Sequence, residues 1–357
     1  VRFVIFTHSL VSDWNHGNAH FLRGICTELS LRGHQLTVFE PENGWSRRNL
    51  LQQEGAAAIE EFHKHYPGLT SVLYHEDSLD LDCFLNNADV VLVHEWNTPE
   101  LIANIGRHRA SHDFKLLFHD THHRSLSDKE GVEKFDLKHY DGVLAYGEII
   151  RKAYLRNGWA KKAWTWHEAA DTRVFHPIPG EKDADLVWIG NWGDDERADT
   201  LREYLIRPVK ELGLRAAVYG VRYPEPVLEE LAKAGIEYKG WLANYRVPEV
   251  FSRYRLTIHV PRKPYVEALP GIPTIRPFEA LACGIPLLSA PWHDAEHLFR
   301  PGADFLFTHC EMQMRDHMRM VLEHPEVAQR HAASGLETIL ARHTCGHRVD
   351  ELLEVIQ

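Results

Sequence analysis

The sequence predicts an α/β protein built from two doubly wound, Rossmann-like domains. Its 357 residues exceed the length at which a single core splits, so two domains of roughly 150 to 200 residues are expected. Short apolar runs alternate with helical patterns, the mark of parallel sheets with crossover helices. That alternation occurs twice, on either side of a Pro-, Gly- and charge-rich stretch, EAADTRVFHPIPGEKDA at 168–184, which reads as the join.

In the first half, strands are expected at 2–7, 35–40, 71–74, 90–94, 115–119 and 142–146. Between the first two, Phe21, Leu22, Ile25, Cys26 and Leu29 share one helical face, and Gly33 ends the helix. In the second half, strands are expected at 186–190, 217–219, 236–238, 256–260, 285–289 and 305–307. At the end of the sequence, Val349, Leu352, Leu353 and Ile356 again share one helical face. The resulting domains are 1–170 and 171–340, followed by a helical segment at 341–357. Ligands of doubly wound sheets bind at the carboxyl ends of the strands, so a cleft between two such domains is the expected site.

Composition narrows the function. An apolar fraction of 44% and ten tryptophans suffice for two cores. A formal charge of −11 argues against nucleic acid or anionic membrane as a general partner. Cys26, Cys83, Cys283, Cys310 and Cys345 are odd in number and scattered, which fits a reducing compartment. No run of 18 apolar residues is present, and residues 1–10 have neither a charged leader nor a cleavage site. A cytoplasmic location is therefore expected, with room for peripheral membrane contact. The 25 histidines include the groups His119, His122, His123 and His343, Cys345, His347, which match no complete zinc pattern. No metal is expected.

The stretch 256–289 carries the clearest chemistry. Thr257, Ile258, His259 and Val260 read as a buried strand closed by Pro261. A loop with Arg262, Lys263 and Tyr265 follows. The next helix is expected to begin near Arg276 or Pro277, with Phe278, Leu281 and Ala282 on its apolar face and Gly284 as its stop. The amides of Thr274, Ile275 and Arg276 then point out of a helix N-terminus, where the dipole and free donors favour a phosphate. Arg276, Arg262 and Lys263 supply countercharge.

FEALACGIP at 278–286 resembles the signature of GT-B glycosyltransferases of the group-1 type, in particular the CgeB-like, spore-maturation branch. The resemblance implies GT-B architecture, with an N-terminal acceptor-side domain, a C-terminal nucleotide-sugar donor domain and a final helix crossing back to the first. It implies that Glu279 holds the ribose hydroxyls of a nucleotide sugar, and that the loop before it, with Gly271, Ile272, Thr274 and Ile275, wraps the diphosphate. The family's second glutamate falls at Gly271 here, and Glu267 is off register. ADTRVFHP at 170–177 resembles the interdomain segment, and Trp241 with Leu242 resembles the lining of the base pocket.

After the first strand of the second domain, Asn191 and Trp192 lie in a partial glycine loop where the chain can approach a phosphate or sugar. Asp194, Asp195 and Glu196 would repel a diphosphate there, and the family's basic residues are missing, which moves the phosphate contacts to Arg262 and Arg276. On the acceptor side, His16, Gly17 and Asn18 lie in the first βα turn. His119 and Asp120 end another strand, where the family places a His or Asp near the reacting sugar, so they are expected to orient the acceptor or move its proton.

The implied reaction moves a sugar from a UDP- or GDP-type nucleoside diphosphate sugar to an acceptor hydroxyl, without a metal or other cofactor and with retention. The acceptor, whether glycan, lipid, protein or small molecule, is not specified. A nucleotide-sugar epimerase and a non-catalytic sugar-nucleotide or glycan-binding protein are the alternatives. A dinucleotide oxidoreductase is disfavoured, since no GxGxxG follows either first strand.

Overall fold

The computed structural model describes Val1–Gln357 apart from the side chain of Asp194. The chain divides into two units, one of Val1–Glu168 with Cys345–Gln357 and one of Ala169–Thr344.

The first unit is a seven-stranded parallel sheet. Its strands are β1 (Arg2–Phe6), β2 (Gln35–Pro41), β3 (Val72–Tyr74), β4 (Val90–His94), β5 (Lys115–Asp120), β6 (Gly142–Ala145) and β7 (Ala163–Thr165). Their spatial order is β3-β2-β1-β4-β5-β6-β7. The central strands are buried along most of their length, which their near-continuous apolar runs dictate in a sheet covered on both faces. The expected amphipathic helix spans Ala19–Leu31, and Phe21, Leu22, Ile25, Cys26 and Leu29 are all buried. Edge strand β7 was not expected: it is three half-buried residues, too short to carry a period.

The helix Cys345–Ile356 completes this unit by packing on Ala19–Leu31. Val349 and Leu352 are buried in the contact, each contributing about 1.5 to 3 kcal/mol. Trp166 Nε1 donates to the Arg348 carbonyl at 2.8 Å, Arg348 Nε donates to the His167 carbonyl at 3.0 Å, and Arg32 Nη1 pairs with Asp350 at 2.5 Å.

The second unit is a six-stranded parallel sheet of β8 (Ala184–Ile189), β9 (Ala216–Tyr219), β10 (Ile236–Tyr238), β11 (Tyr254–His259), β12 (Leu287–Ser289) and β13 (Leu306–Phe307). The order is β10-β9-β8-β11-β12-β13. Leu186, Trp188, Val218, Leu256, Ile258 and Leu288 form its core. One detail differs from expectation. Residues after Pro261 form a short helix, Lys263–Glu267, rather than a loop, because Pro264 sits in its first turn where a missing N–H costs nothing. The following helix is Ile275–Ala282, starting one residue before Arg276.

Candidate active site

Both sheets reverse their winding once, between β1 and β4 and between β8 and β11. Ligands of doubly wound folds bind at such switch points.

At the second switch point, Asn191 follows β8 and Arg262 follows β11. Arg262 Nη2 donates to Asn191 Oδ1 at 3.1 Å and Nη1 reaches Glu196 Oε2 at 3.3 Å. Arg197 joins them, donating to the Asn191 carbonyl at 3.0 Å and the Val260 carbonyl at 3.1 Å, and bonding the Asn191 side chain as well. Its guanidinium lies over the Trp188 ring at 5.2 Å, and its Nε is buried with no partner among the described residues. Burial lowers the Arg197 pKa to about 9, and the charges of Arg262 and Arg276 push it the same way. Three guanidinium groups therefore converge where a doubly charged anion would relieve their repulsion.

Arg197 corrects the reading that basic residues are missing after β8. The acidic run before it suggested a repelling segment, but the turn Asp194–Glu196 carries Arg197 inward while Asp195 is exposed and Glu196 pairs with Arg262. The side chain of Asp194 lies outside the described residues.

The helix Ile275–Ala282 supplies the other half. Arg276 pairs with Glu279, one turn on, and Asn244 Nδ2 donates to Glu279 Oε1 at 2.6 Å. Glu279 is fully buried, so its carboxylate is fixed in place by these two partners. Thr274 caps the helix at φ 61°, ψ 179°, an unfavourable backbone state for a β-branched residue and of the kind that clusters at ligand clamps. The first-turn amides beyond it have no intrahelical acceptor.

The remaining expected residues separate. Lys263 is exposed and pairs with Glu267 on its own turn at 3.7 Å, away from the cluster. Trp192 is a correction: it is buried in the core between Tyr223 and Arg202, because that face of its turn points inward. Tyr265 and Ile272 are buried, and the Ile272 carbonyl accepts from Trp292 Nε1 at 3.1 Å. Trp241 and Leu242 are half-buried, and the indole N–H of Trp241 has no partner among the described residues.

Gly271 has φ +99°, and a Cβ there would lie 2.7 Å from Glu296 Cγ and 3.0 Å from its Oε1. A carboxylate from a distant segment thus lies beside the position where the resemblance lacks one. Glu296, Arg197 and Asn244 were not singled out from sequence; each arrives by a tertiary contact that no local spacing records.

At the first switch point, the turn after β1 is anchored by buried charge. Glu40 accepts from Ser9 Oγ at 2.9 Å, from Leu10 N at 2.6 Å and from Arg47 at 3.2 Å. Arg23 donates to the carbonyls of Leu10 and Val11 at 2.9 and 2.8 Å and pairs with Asp13 at 2.8 Å. This fixes His16, whose Nε2 is 3.1 Å from the Ser9 carbonyl, and Asn18, whose Nδ2 donates to Glu168 at 3.1 Å, with exposed Gly17 between them.

His119 and Asp120, expected to orient the acceptor or move its proton, lie buried at the end of β5. His119 pairs in register with His94 and is packed against that ring and Trp166 at 5.3 and 4.9 Å. Burial lowers its pKa to about 3, so the ring is neutral near pH 7. Asp120 is buried, accepting from Tyr154 Oη at 2.8 Å and from His122 N at 3.0 Å. Burial raises its pKa, and that of Glu95 beside it. These groups brace the strand end. Among the described residues, one set of side chains has metal-like spacing, Asp82, His108 and His112.

Residues 197–354 match the family described as glycosyl transferase-like. No curated protein matches the chain by sequence. Solved structures of similar fold include a sucrose-phosphate synthase from Thermosynechococcus elongatus, 13% identical, with 99% of this chain and 98% of that chain covered and a TM-score of 0.68. Anabaena HepE in complex with UDP-glucose is 13% identical, with 99% of each chain covered and a TM-score of 0.68. An alpha-glucosyltransferase in complex with UDP-glucose and DNA is 11% identical, with 99% of each chain covered and a TM-score of 0.72. That family match covers less than half of the chain, and the two parallel α/β sheets share the fold of GT-B glycosyltransferase structures.

Proposed function

We propose that the protein transfers a glycosyl group from a UDP-sugar to an acceptor hydroxyl, with the second unit binding the donor. The convergence of Arg197, Arg262 and Arg276 at the β8/β11 switch point carries this reading. Negative charge grows on the departing diphosphate in such a transfer, and fixed cations with helix-terminal amides stabilise it. Three guanidinium groups supply the countercharge that a metal supplies elsewhere, which supports a metal-independent reaction. Glu279, held by Arg276 and Asn244, takes the ribose hydroxyls, and the half-buried Trp241 borders the base. Glu296, beside Gly271, takes the sugar contact that the family assigns to position 271. Retention of configuration and the CgeB-like branch rest on the resemblance, and a cytoplasmic site of action is part of the same proposal. Five free cysteines favour the last, and no helix is long and apolar enough to cross a membrane among the described residues.

The test is a thermal-shift series with UDP, GDP and their sugars, because a ligand of the folded state alone raises stability, by about 2.7 kcal/mol at a hundred times its dissociation constant. The expected result is stabilisation by UDP and UDP-sugars, reduced in Arg276→Ala and Glu279→Gln. Release of UDP on adding acceptor identifies a transferase, whereas an isomerised sugar nucleotide identifies an epimerase. No stabilisation by any nucleotide overturns the donor site.

A further inference from the structure

The chain has ten tryptophans. Among the described residues, only Trp45 and Trp96 are substantially exposed, at 40% and 42%. They come from different segments, Trp45 opening the helix Trp45–Glu54 after β2 and Trp96 following β4. Both reach the first switch point. The His8 ring is near both, 6.4 Å from Trp45 and 5.8 Å from Trp96.

Each indole is held from behind. Trp14 is buried edge-on to Trp45 at 4.9 Å, and its Nε1 donates to Gln53 at 2.7 Å. Trp96 has Arg124 over its ring at 4.2 Å and His122 edge-on at 5.0 Å. Exposed apolar faces that the fold immobilises mark a binding surface rather than scattered surface residues.

The charge around the indoles narrows the ligand. Arg124 is paired with buried Glu95 at 2.7 Å, and Arg47 with buried Glu40 at 3.2 Å. His8 is uncharged at neutral pH, since burial lowers its pKa to about 4. Arg48 is the one adjacent guanidinium with no ion pair among the described residues. A phosphate polymer needs many unpaired cations, and a lipid surface needs a broad apolar or basic face. A flat, uncharged ring with polar edges suits two spaced indole faces and a neutral imidazole.

We propose that Trp45, His8 and Trp96 form a saccharide-binding platform that seats a pyranose ring of the acceptor. The acceptor is then a neutral glycan or glycoside. This rests on the transfer reaction proposed above.

The experiment binds the full-length protein to an array of defined neutral and acidic oligosaccharides, beside a single-stranded oligonucleotide and anionic lipid vesicles. Wild type, Trp45→Ala, Trp96→Ala and Trp96→Phe are compared, and the UDP thermal shift is recorded for each. The expected result is binding of neutral oligosaccharides, weakened roughly tenfold or more by either alanine and largely kept by phenylalanine, with the UDP shift unchanged in all four. Binding to no oligosaccharide, preference for the oligonucleotide or vesicles, or saccharide binding indifferent to both alanines overturns the platform. A preserved UDP shift in that case leaves the donor reading intact, whereas loss of the UDP shift in wild type overturns the transfer reaction itself.

Discussion

Two residues illustrate how the same chemistry is put to opposite uses. Arg262 is partly exposed and held by Asn191 and Glu196, so it can turn to a ligand. Arg262→Ala is expected to weaken UDP-sugar binding by about tenfold to a hundredfold, the loss of one charge-assisted contact, while changing stability by less than about 1 kcal/mol. Calorimetric titration and urea denaturation of the same variant check both. His119, by contrast, is kept neutral. Its pKa is lowered from 6.5 to about 3 by burial, so below pH 6.5 the unfolded chain takes up a proton that the folded chain refuses. Stability therefore falls as pH drops through that window. In His119→Phe the fall should be shallower by about 1.4 kcal/mol per pH unit. Denaturation curves from about pH 7 to pH 4 test this, and Glu95 and Asp120, whose raised pKa values act with the opposite sign, are common to both proteins and drop out of the difference.

Elements were legible where period and length agreed. The central strands are long apolar runs, and the helix Ala19–Leu31 shows its face over several turns. Edge strand β7 and the helix Lys263–Glu267 are too short for any period to register. The site divides the same way. Arg262, Arg276 and Glu279 lie within one stretch of sequence and could be read together, whereas Arg197, Asn244 and Glu296 become neighbours of the site only when strands are ordered. A strand-end histidine such as His119 looks the same in sequence whether its ring faces solvent or Trp166. Turn geometry also matters at this scale. Gly220, at φ +153°, brings the turn after β9 against the Gly190 carbonyl, with which a Cβ would overlap. Gly220→Ala should cost about 3 kcal/mol or more, through strain and displacement of the β8 turn, and should weaken UDP binding as well. Thermal denaturation with and without UDP measures both.

At the scale of the whole molecule, the net charge of −11 coexists with a local cluster of Arg197, Arg262 and Arg276, so overall charge does not predict the local ligand. The helix Cys345–Ile356 has the largest consequence here. Deleting 345–357 removes the burial of Val349 and Leu352 and the bonds of Arg348 to Trp166 and His167, at a cost of about 4 kcal/mol or more. The truncated chain should show a lower melting temperature and rapid proteolysis within 1–168.

That helix also sets an order of events in the cell. A ribosome delivers every strand of the first sheet early, yet the segment that covers Trp166 and the helix Ala19–Leu31 emerges only after the whole of Ala169–Thr344. The second unit can close as soon as its own residues are out, and the first must wait with an apolar face open. A nascent chain stalled anywhere before Cys345 is therefore a client for chaperones, even when its second unit is already folded.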